Sequence, residues 1–296
     1  MRSFDYYRPK DYEEAFELLS RTDQAVLPLA GGTDLIPQVR DGVTNPQAVV
    51  DVKHLPGMRD LKIQDVEPCC GCSPGECLYV GAAVRMNELA RSELVRDHWK
   101  PLAMAAYSVG NEQVRNRATI GGNLCTASPA ADSAPALLVL EAVALIRGAT
   151  AERCVPVAQF ITGPKRSALR PGELLVGLLI PRPTQGALSH HEKLGRRKAG
   201  DLSIASVAAM ALPHNGGYRW RLALGAVAPT PIRSPEAEAI LAQGYDSEAI
   251  DRAAAAAYGS CCPITDIRSG LEYRQAMVVN LSRRVIETIV SQMPAV

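Results

Sequence analysis

Two glycine pairs set the strongest limit on how this chain can fold. The first lies in Leu29-Ala30-Gly31-Gly32-Thr33-Asp34-Leu35-Ile36-Pro37, directly after an apolar run at 25–29, and the second in Ala118-Thr119-Ile120-Gly121-Gly122-Asn123. A missing Cβ lets backbone N–H groups approach a bulky ligand closely. Strand, glycine turn and helix start together form the arrangement by which a chain grips phosphate. Thr33 reads as the N-cap of a short helix with Pro37 in its first turn. Around the second pair, Thr119, Asn123, Thr126, Ser128 and Ser133 offer neutral hydrogen bonds, and Asp132, the one acid at 113–135, suits ribose hydroxyls. One Gly-Gly after a strand is ordinarily a tight turn. Two of matching chemistry point to a long ligand with both phosphate and sugar.

The remaining periodicities divide the chain. Asp11 caps a helix with apolar Tyr12, Ala15, Phe16 and Leu19, and Val49 to Val52 is a short buried strand. A hairpin follows over 61–81, then a helix from Met86 toward Val95, helices at 102–107 and 134–140, and strands at 142–146 and 173–180. Pro181 and Pro183 stop the last strand and mark a domain boundary. Beyond it, strands at 188–194, 204–212 and 218–227 read as antiparallel neighbours, with His214-Asn215-Gly216-Gly217 as a hairpin turn. Helices follow at 236–241, 248–258 and 273–290. The expected class is α+β: residues 1–182 form one domain of two α/β subdomains split near 55–60, and residues 183–296 an antiparallel sheet with helices on one face.

Composition excludes several partners. With 296 residues, 47% of them apolar, the chain can fill two cores. A net charge of +1 without a basic run of note gives no reason to expect nucleic acid or an anionic membrane surface. No stretch has the length of a membrane span, and the N-terminus lacks the apolar core of a signal peptide, so a cytoplasmic location is expected. The eight cysteines then read as thiols or metal ligands. Cys69, Cys70, Cys72 and Cys77 crowd one loop, where three ligands could converge on iron–sulfur or zinc without an obvious fourth. A hairpin with reduced thiols is the other reading. Dinucleotide, Walker, nucleophile-elbow and zinc-protease motifs are absent, as is a convincing side-chain catalyst; His190 with His191 reads as a strand end.

The Ala-Gly-Gly-Thr-Asp-Leu and Ala-Thr-Ile-Gly-Gly-Asn motifs, followed by Ala-Ser-Pro-Ala-Ala-Asp, resemble the FAD-binding medium subunit of the xanthine dehydrogenase and carbon monoxide dehydrogenase family of molybdenum hydroxylases. The resemblance covers nearly the whole chain. It implies an FAD-binding domain of the vanillyl-alcohol-oxidase (PCMH) type over 1–182, followed by the family's C-terminal domain. It also implies non-covalent FAD, held extended by Ala30, Gly31, Gly32, Thr33, Asp34 and Leu35 on one side and by Gly110, Thr119, Gly122, Asn123 and Asp132 on the other. Leu175, Lys193 and Asp201 would approach the ring, Lys193 and Asp201 tuning it without being needed for folding. A solvated charged turn is the plainer reading of 193–203.

By the same resemblance the partners are a molybdenum-cofactor large subunit and a small subunit with two 2Fe–2S clusters, in a heterotrimer whose dimerisation stays open. Electrons would pass from FAD to NAD⁺, a quinone or another acceptor. Some relatives carry a 4Fe–4S cluster in an insertion after the Gly-Gly-Asn motif; here Asn123 runs directly into Leu124-Cys125-Thr126, so those ligands do not carry over. The runs 223–233 and 273–277 also match and read as packing, with pairing of Arg274 to a partner subunit as the alternative. Two other functions stay open at this point: a self-sufficient flavoenzyme resembling UDP-N-acetylenolpyruvoylglucosamine reductase, and a flavin-free assembly subunit.

Overall fold

The computed structural model describes residues 2–21, 25–66 and 75–294. The chain opens with β1 (Asp5–Tyr7), α1 (Tyr12–Leu19), β2 (Val26–Leu29), α2 (Leu35–Arg40) and β3 (Ala48–Asp51), which give a parallel sheet of order β1-β3-β2. Asp11 caps α1 by accepting from the Glu14 N–H at 2.9 Å, and the helix packs Tyr12, Ala15 and Phe16 into the core that holds Val50 and Val52. β3 lies between its two partners and is buried at every residue, which its Ala-Val-Val-Asp sequence permits because Asp51 is paired with Lys53 at 2.7 Å. The cap of α2 is Asp34, not Thr33: the Gln38 N–H bonds the Asp34 carbonyl, one residue later than the sequence suggested.

A second, antiparallel sheet follows. It is built from β4 (Leu61–Val66), β5 (Gly75–Gly81), β6 (Val143–Arg147), β7 (Glu152–Pro156) and, after the short α9 (Val157–Phe160), β8 (Ile161–Gly163) and β9 (Arg166–Ser167), from β10 (Leu174–Pro181). Its order is β4-β5-β10-β6-β7, with β8 and β9 pairing apart. Between β5 and β6 the chain makes α3 (Met86–Arg91), α4 (Glu93–His98), α5 (Lys100–Ser108), α6 (Glu112–Arg115), α7 (Ile120–Cys125) and α8 (Ala134–Val139). The single helix expected from Met86 to Val95 breaks at Ser92, whose side chain caps α4 by accepting from the Val95 N–H. Cys77 is buried in β5; Cys69, Cys70 and Cys72 lie outside the described residues. Among the described residues no cluster of His, Cys, Asp and Glu is placed to hold a metal, and no helix is long and apolar enough to cross a membrane.

The last sheet is β11 (Leu188–Leu194), β12 (Ala205–His214), β13 (Gly217–Gly225) and β14 (Ile232–Arg233), in that order. The Asn215-Gly216 pair takes φ of 48° and 80°, the left-handed turn that matches strand twist. Helices α10 (Pro235–Gln243), α11 (Ser247–Gly259) and α12 (Leu271–Val290) cover one face, as expected. The other face is closed by α5 and α8 of the first domain. This explains the unbroken apolar run of β12: Ala205, Val207, Ala209 and Ala211 meet the C-terminal helices, while Ala208, Met210 and Leu212 join the first core.

Candidate functional site

The first glycine turn sits at the carboxyl end of β2, where open α/β sheets bind ligands. Gly32 takes φ +75°, a conformation that favours glycine. Through the turn, the N–H groups of Gly31, Gly32, Thr33, Asp34 and Leu35 find no acceptor among the described residues; the first satisfied donor is Ile36, on the Gly32 carbonyl at 3.0 Å. Asp34 caps no N–H with its side chain. Consecutive unpaired donors ahead of a helix make an electropositive run suited to a diphosphate.

The second turn is built differently. Thr119 is the N-cap of α7 and its Oγ1 accepts from the Gly122 N–H at 3.1 Å. Ile120, Gly121 and Asn123 donate to the carbonyls of Val84, Ala82 and Thr119 at 2.9–3.0 Å. Backbone donors expected to face a ligand here are therefore consumed inside the chain. A Cβ on Gly121 would lie 2.6 Å from the Ala82 Cβ and 2.7 Å from its carbonyl oxygen, so this glycine exists for backbone packing. A Cβ on Gly122 would meet the Thr119 Oγ1 at 2.9 Å and otherwise open space. Gly122 is thus the one glycine of the pair that faces open space.

The two turns touch. A Cβ on Gly31 would stand 2.1 Å from the Arg117 carbonyl oxygen, and Thr126 Oγ1, which donates to the Gly122 carbonyl at 2.9 Å, lies 3.3 Å from the Asp34 carboxylate. Asn123 Oδ1 accepts from Ser133 Oγ at 2.6 Å. Its amide NH₂ has no acceptor among the described residues.

Beyond Ser133 the site is closed by an ion pair. Asp132 is 4% exposed; its Oδ2 receives Lys193 Nζ at 2.7 Å and its Oδ1 the Ser203 hydroxyl at 2.5 Å. Lys193 also donates to the carbonyls of Ser108 and Asp201, at 3.0 and 2.9 Å, so all three of its protons are engaged. Burial pushes the Asp132 carboxyl up, against the opposing pull of Lys193 and Ser203. Lys193 is thus part of the folded interior and not of a solvated turn. Asp201 turns its carboxylate onto its own loop, accepting from the N–H groups of Arg196 and Leu202 at 3.0 and 2.9 Å. The same loop bonds the Gly110 carbonyl through the Gly200 N–H at 2.9 Å, with Gly110 held at φ +48°. Leu175 is 4% exposed in the core, one residue before a bulge whose Val176 carbonyl takes the Ala82 N–H.

Sequence reasoning missed Ser203, the Ser108 carbonyl and Gly200, whose roles exist only through contacts far apart in the chain. It also missed His191, two residues before Lys193 on the same strand face and 4% exposed. Its Nε2 is buried without a partner among the described residues, and burial, then Lys193, hold its pKa down at about 3. His190 points to the opposite face, 3.5 Å from Glu192, so the two histidines do not act as a pair. Arg274 is 3% exposed and bonds the carbonyls of Ile204 and Ala226, at 2.6 and 3.0 Å, and Asp266 at 2.8 Å. Its guanidinium therefore serves this chain, not a partner subunit.

An open donor nest, a clear space over Gly122 and two turns in contact fit a bound dinucleotide-sized cofactor. Comparison with known proteins identifies the family. Residues 2–183 match the family described as the FAD binding domain in molybdopterin dehydrogenase, and residues 190–289 the CO dehydrogenase flavoprotein C-terminal domain. The carbon monoxide dehydrogenase medium chain of Hydrogenophaga pseudoflava is 31% identical over 285 residues, covering 96% of each chain. A putative xanthine dehydrogenase FAD-binding subunit of Escherichia coli (strain K12) is 30% identical, covering 97% of this chain and 96% of its own. A structure of carbon monoxide dehydrogenase from Hydrogenophaga pseudoflava superposes with a TM-score of 0.89 at 30% identity over 99% of both chains. The chain therefore belongs to the FAD-binding subunits of the molybdenum hydroxylase family, an oxidoreductase component whose cofactor is FAD.

Proposed function

We propose that this chain is the electron-transfer subunit of a molybdenum hydroxylase complex, taking electrons from iron–sulfur clusters of a partner and delivering them to NAD⁺, a quinone or another acceptor. The observation that carries the reading is the run of five N–H groups from Gly31 to Leu35 that are unpaired among the described residues, packed directly against the second glycine turn. When bound, the flavin supplies the redox chemistry, and the protein supplies orientation, electrostatics and shielding. In this reading Ala30 to Leu35 hold the pyrophosphate by backbone donors, and Gly122 and Asn123 line the opposite wall. Thr119 and Gly110 hold the backbone of that wall, and Leu175 backs it from the core. The buried Asp132–Lys193 pair, with the Asp201 carbonyl, fixes one ammonium near the ring, where it favours the extra negative charge of a reduced flavin.

The partners in this reading are a large subunit holding the molybdenum cofactor and a small subunit holding 2Fe–2S clusters. The named relatives are medium or FAD-binding subunits of multi-subunit dehydrogenases, which supports such an assembly. The absence of a membrane-crossing helix among the described residues agrees with a cytoplasmic complex. Extraction of the native protein followed by chromatography is expected to release one FAD per chain, and purification under mild conditions is expected to retain molybdenum and iron–sulfur partners. Reduction of the complex by its substrate, with NAD⁺ or a quinone then offered in turn, identifies the acceptor. Recovery of FMN, or of a chain without flavin, would overturn the reading.

A further inference from the structure

Burying a polar atom without a hydrogen bond is expensive, so each such atom in a folded chain calls for a physical reason. Among the described residues five buried side-chain atoms lack a partner: Arg85 Nε, His191 Nε2, Trp220 Nε1, Arg274 Nε and Ser282 Oγ. Arg85 and Arg274 are bonded through their other guanidinium nitrogens. Trp220 belongs to the core under the C-terminal helices, and Ser282 lies in α12 itself. His191 is on the other face of the last sheet, the face pressed against the first domain. There Ser189, His191 and Lys193 alternate along β11, and Met210 and Ala208, which stand opposite Ser189 and His191 on β12, join the first core.

His191 and Lys193 lie about 7 Å apart along the strand, a step that a three-ring flavin spans. What each has left to offer differs. Lys193 spends its three protons on Asp132 and on the carbonyls of Ser108 and Asp201, so it can give a ligand charge but no hydrogen bond. His191 Nε2 is unspent, and the ring is neutral because burial and the Lys193 charge both oppose its protonation. A neutral imidazole donates through one nitrogen, and the edge of a flavin ring presents mainly acceptors, its carbonyl oxygens and unprotonated nitrogens. We infer that His191 Nε2–H donates a hydrogen bond to the bound flavin ring from the strand face that also carries the Lys193 charge. This rests on the placement of the ring against Lys193 proposed above. The two residues then divide the work, one supplying charge and the other a directed bond. An acceptor on the ring gains electron density when the flavin is reduced, and a hydrogen bond to a more negative acceptor is stronger, so His191 raises the flavin midpoint potential.

The test uses the full-length chain at pH 7, freed of FAD and titrated with it, with affinity read from flavin fluorescence, midpoint potential from redox titration, and melting temperature measured before and after FAD is added. His191→Leu should melt like the wild-type chain without FAD, yet bind FAD about tenfold more weakly and at a lower midpoint potential, the loss of one hydrogen bond. His191→Gln, whose amide donates, should restore most of both. Independently of any fold change in the variants, the His191 Nε2–H resonance of the isotope-labelled wild-type chain should move when FAD is added. Wild-type affinity and potential in His191→Leu overturn the proposal, since Nε2 then serves a buried water or packing alone. So does a resonance that FAD leaves in place, or a fall in melting temperature that His191→Gln repairs while the flavin is indifferent to both variants. The reading beneath fails on a different result: Asp132→Asn combined with Lys193→Met, if it leaves affinity and potential unchanged, puts the ring away from this face altogether.

Discussion

The two glycine turns look alike in sequence and are opposites in physics. At Gly31 to Leu35 five backbone donors have no acceptor among the described residues, whereas at Ile120 to Asn123 every donor is already spent on Ala82, Val84 or Thr119. In the first turn glycine supplies a left-handed bend and lets the Arg117 carbonyl come close; in the second, Gly121 lets strand β5's continuation pass and only Gly122 faces free space. A Gly-Gly pair therefore says that backbone must come close, without saying to what. One turn keeps its donors available and the other spends them on its own chain, and the two arrangements predict different responses to substitution.

The largest stability effects should fall on the wall. Lys193→Ala leaves the Asp132 charge buried with only Ser203 beside it, and breaking a buried pair from one side costs about 3–5 kcal/mol. Removing both charges with Asp132→Asn and Lys193→Met should recover most of that loss. Denaturant titration of the single and double variants measures it; additive losses would show that the pair is not coupled. Next, Gly121→Ala forces a Cβ to within 2.6 Å of Ala82, whose backbone cannot rotate away, and overpacking of this kind costs roughly 1–3 kcal/mol. An unchanged melting temperature for Gly121→Ala would remove the distinction between the two glycines of the pair.

An intermediate effect should appear in acid. His191 is held neutral on the wall's side of β11, with its pKa lowered to about 3 chiefly by burial. Its folded pKa lies below the unfolded value of about 6.5, so the fold favours the neutral ring. The contribution is complete above about pH 6.5 and is lost below it at about 1.4 kcal/mol per pH unit, or about 2 kcal/mol by pH 5. Asp132, with its carboxyl raised by burial, acts in the opposite direction, so the comparison has to be between variants. Melting temperatures from pH 7 to 5 should fall more steeply for the wild-type chain than for His191→Leu. Parallel curves would mean that His191 is protonated without cost in the folded chain.

These contrasts also explain what could be read from the sequence. Signals that complete themselves within a few residues were legible: the Asp11 cap, the Asn215-Gly216 turn and the three C-terminal helices occur where their residues demand them. The break at Ser92 was marked locally by a capping serine followed by Glu93, yet the apolar spacing running through it masked the stop. What the sequence could not disclose was closure over distance. Nothing near Gly121 announces that Ala82 will take its N–H, and Asp132 and Lys193 meet across a sequence separation of 61 because α8 packs on the last sheet. The 193–203 segment reads as a solvated charged turn, since only the fold reveals that one of its cations points inward.

The smallest change in stability should come from Gly122→Val, and it tests the comparison most sharply. Its Cβ meets only the Thr119 hydroxyl, which can rotate away at the cost of a helix cap, about 1 kcal/mol. Replacing a glycine within α7 returns part of that cost through helix propensity, so the net loss should stay below about 1 kcal/mol. The branched side chain nevertheless fills the only free space the second turn offers, opposite the open donors of Gly31 to Leu35. A folded chain with normal melting behaviour and little or no flavin absorbance is the expected result. Retention of one FAD per chain by Gly122→Val would mean that the cofactor does not pass over this wall, and that the first turn holds the pyrophosphate without the second.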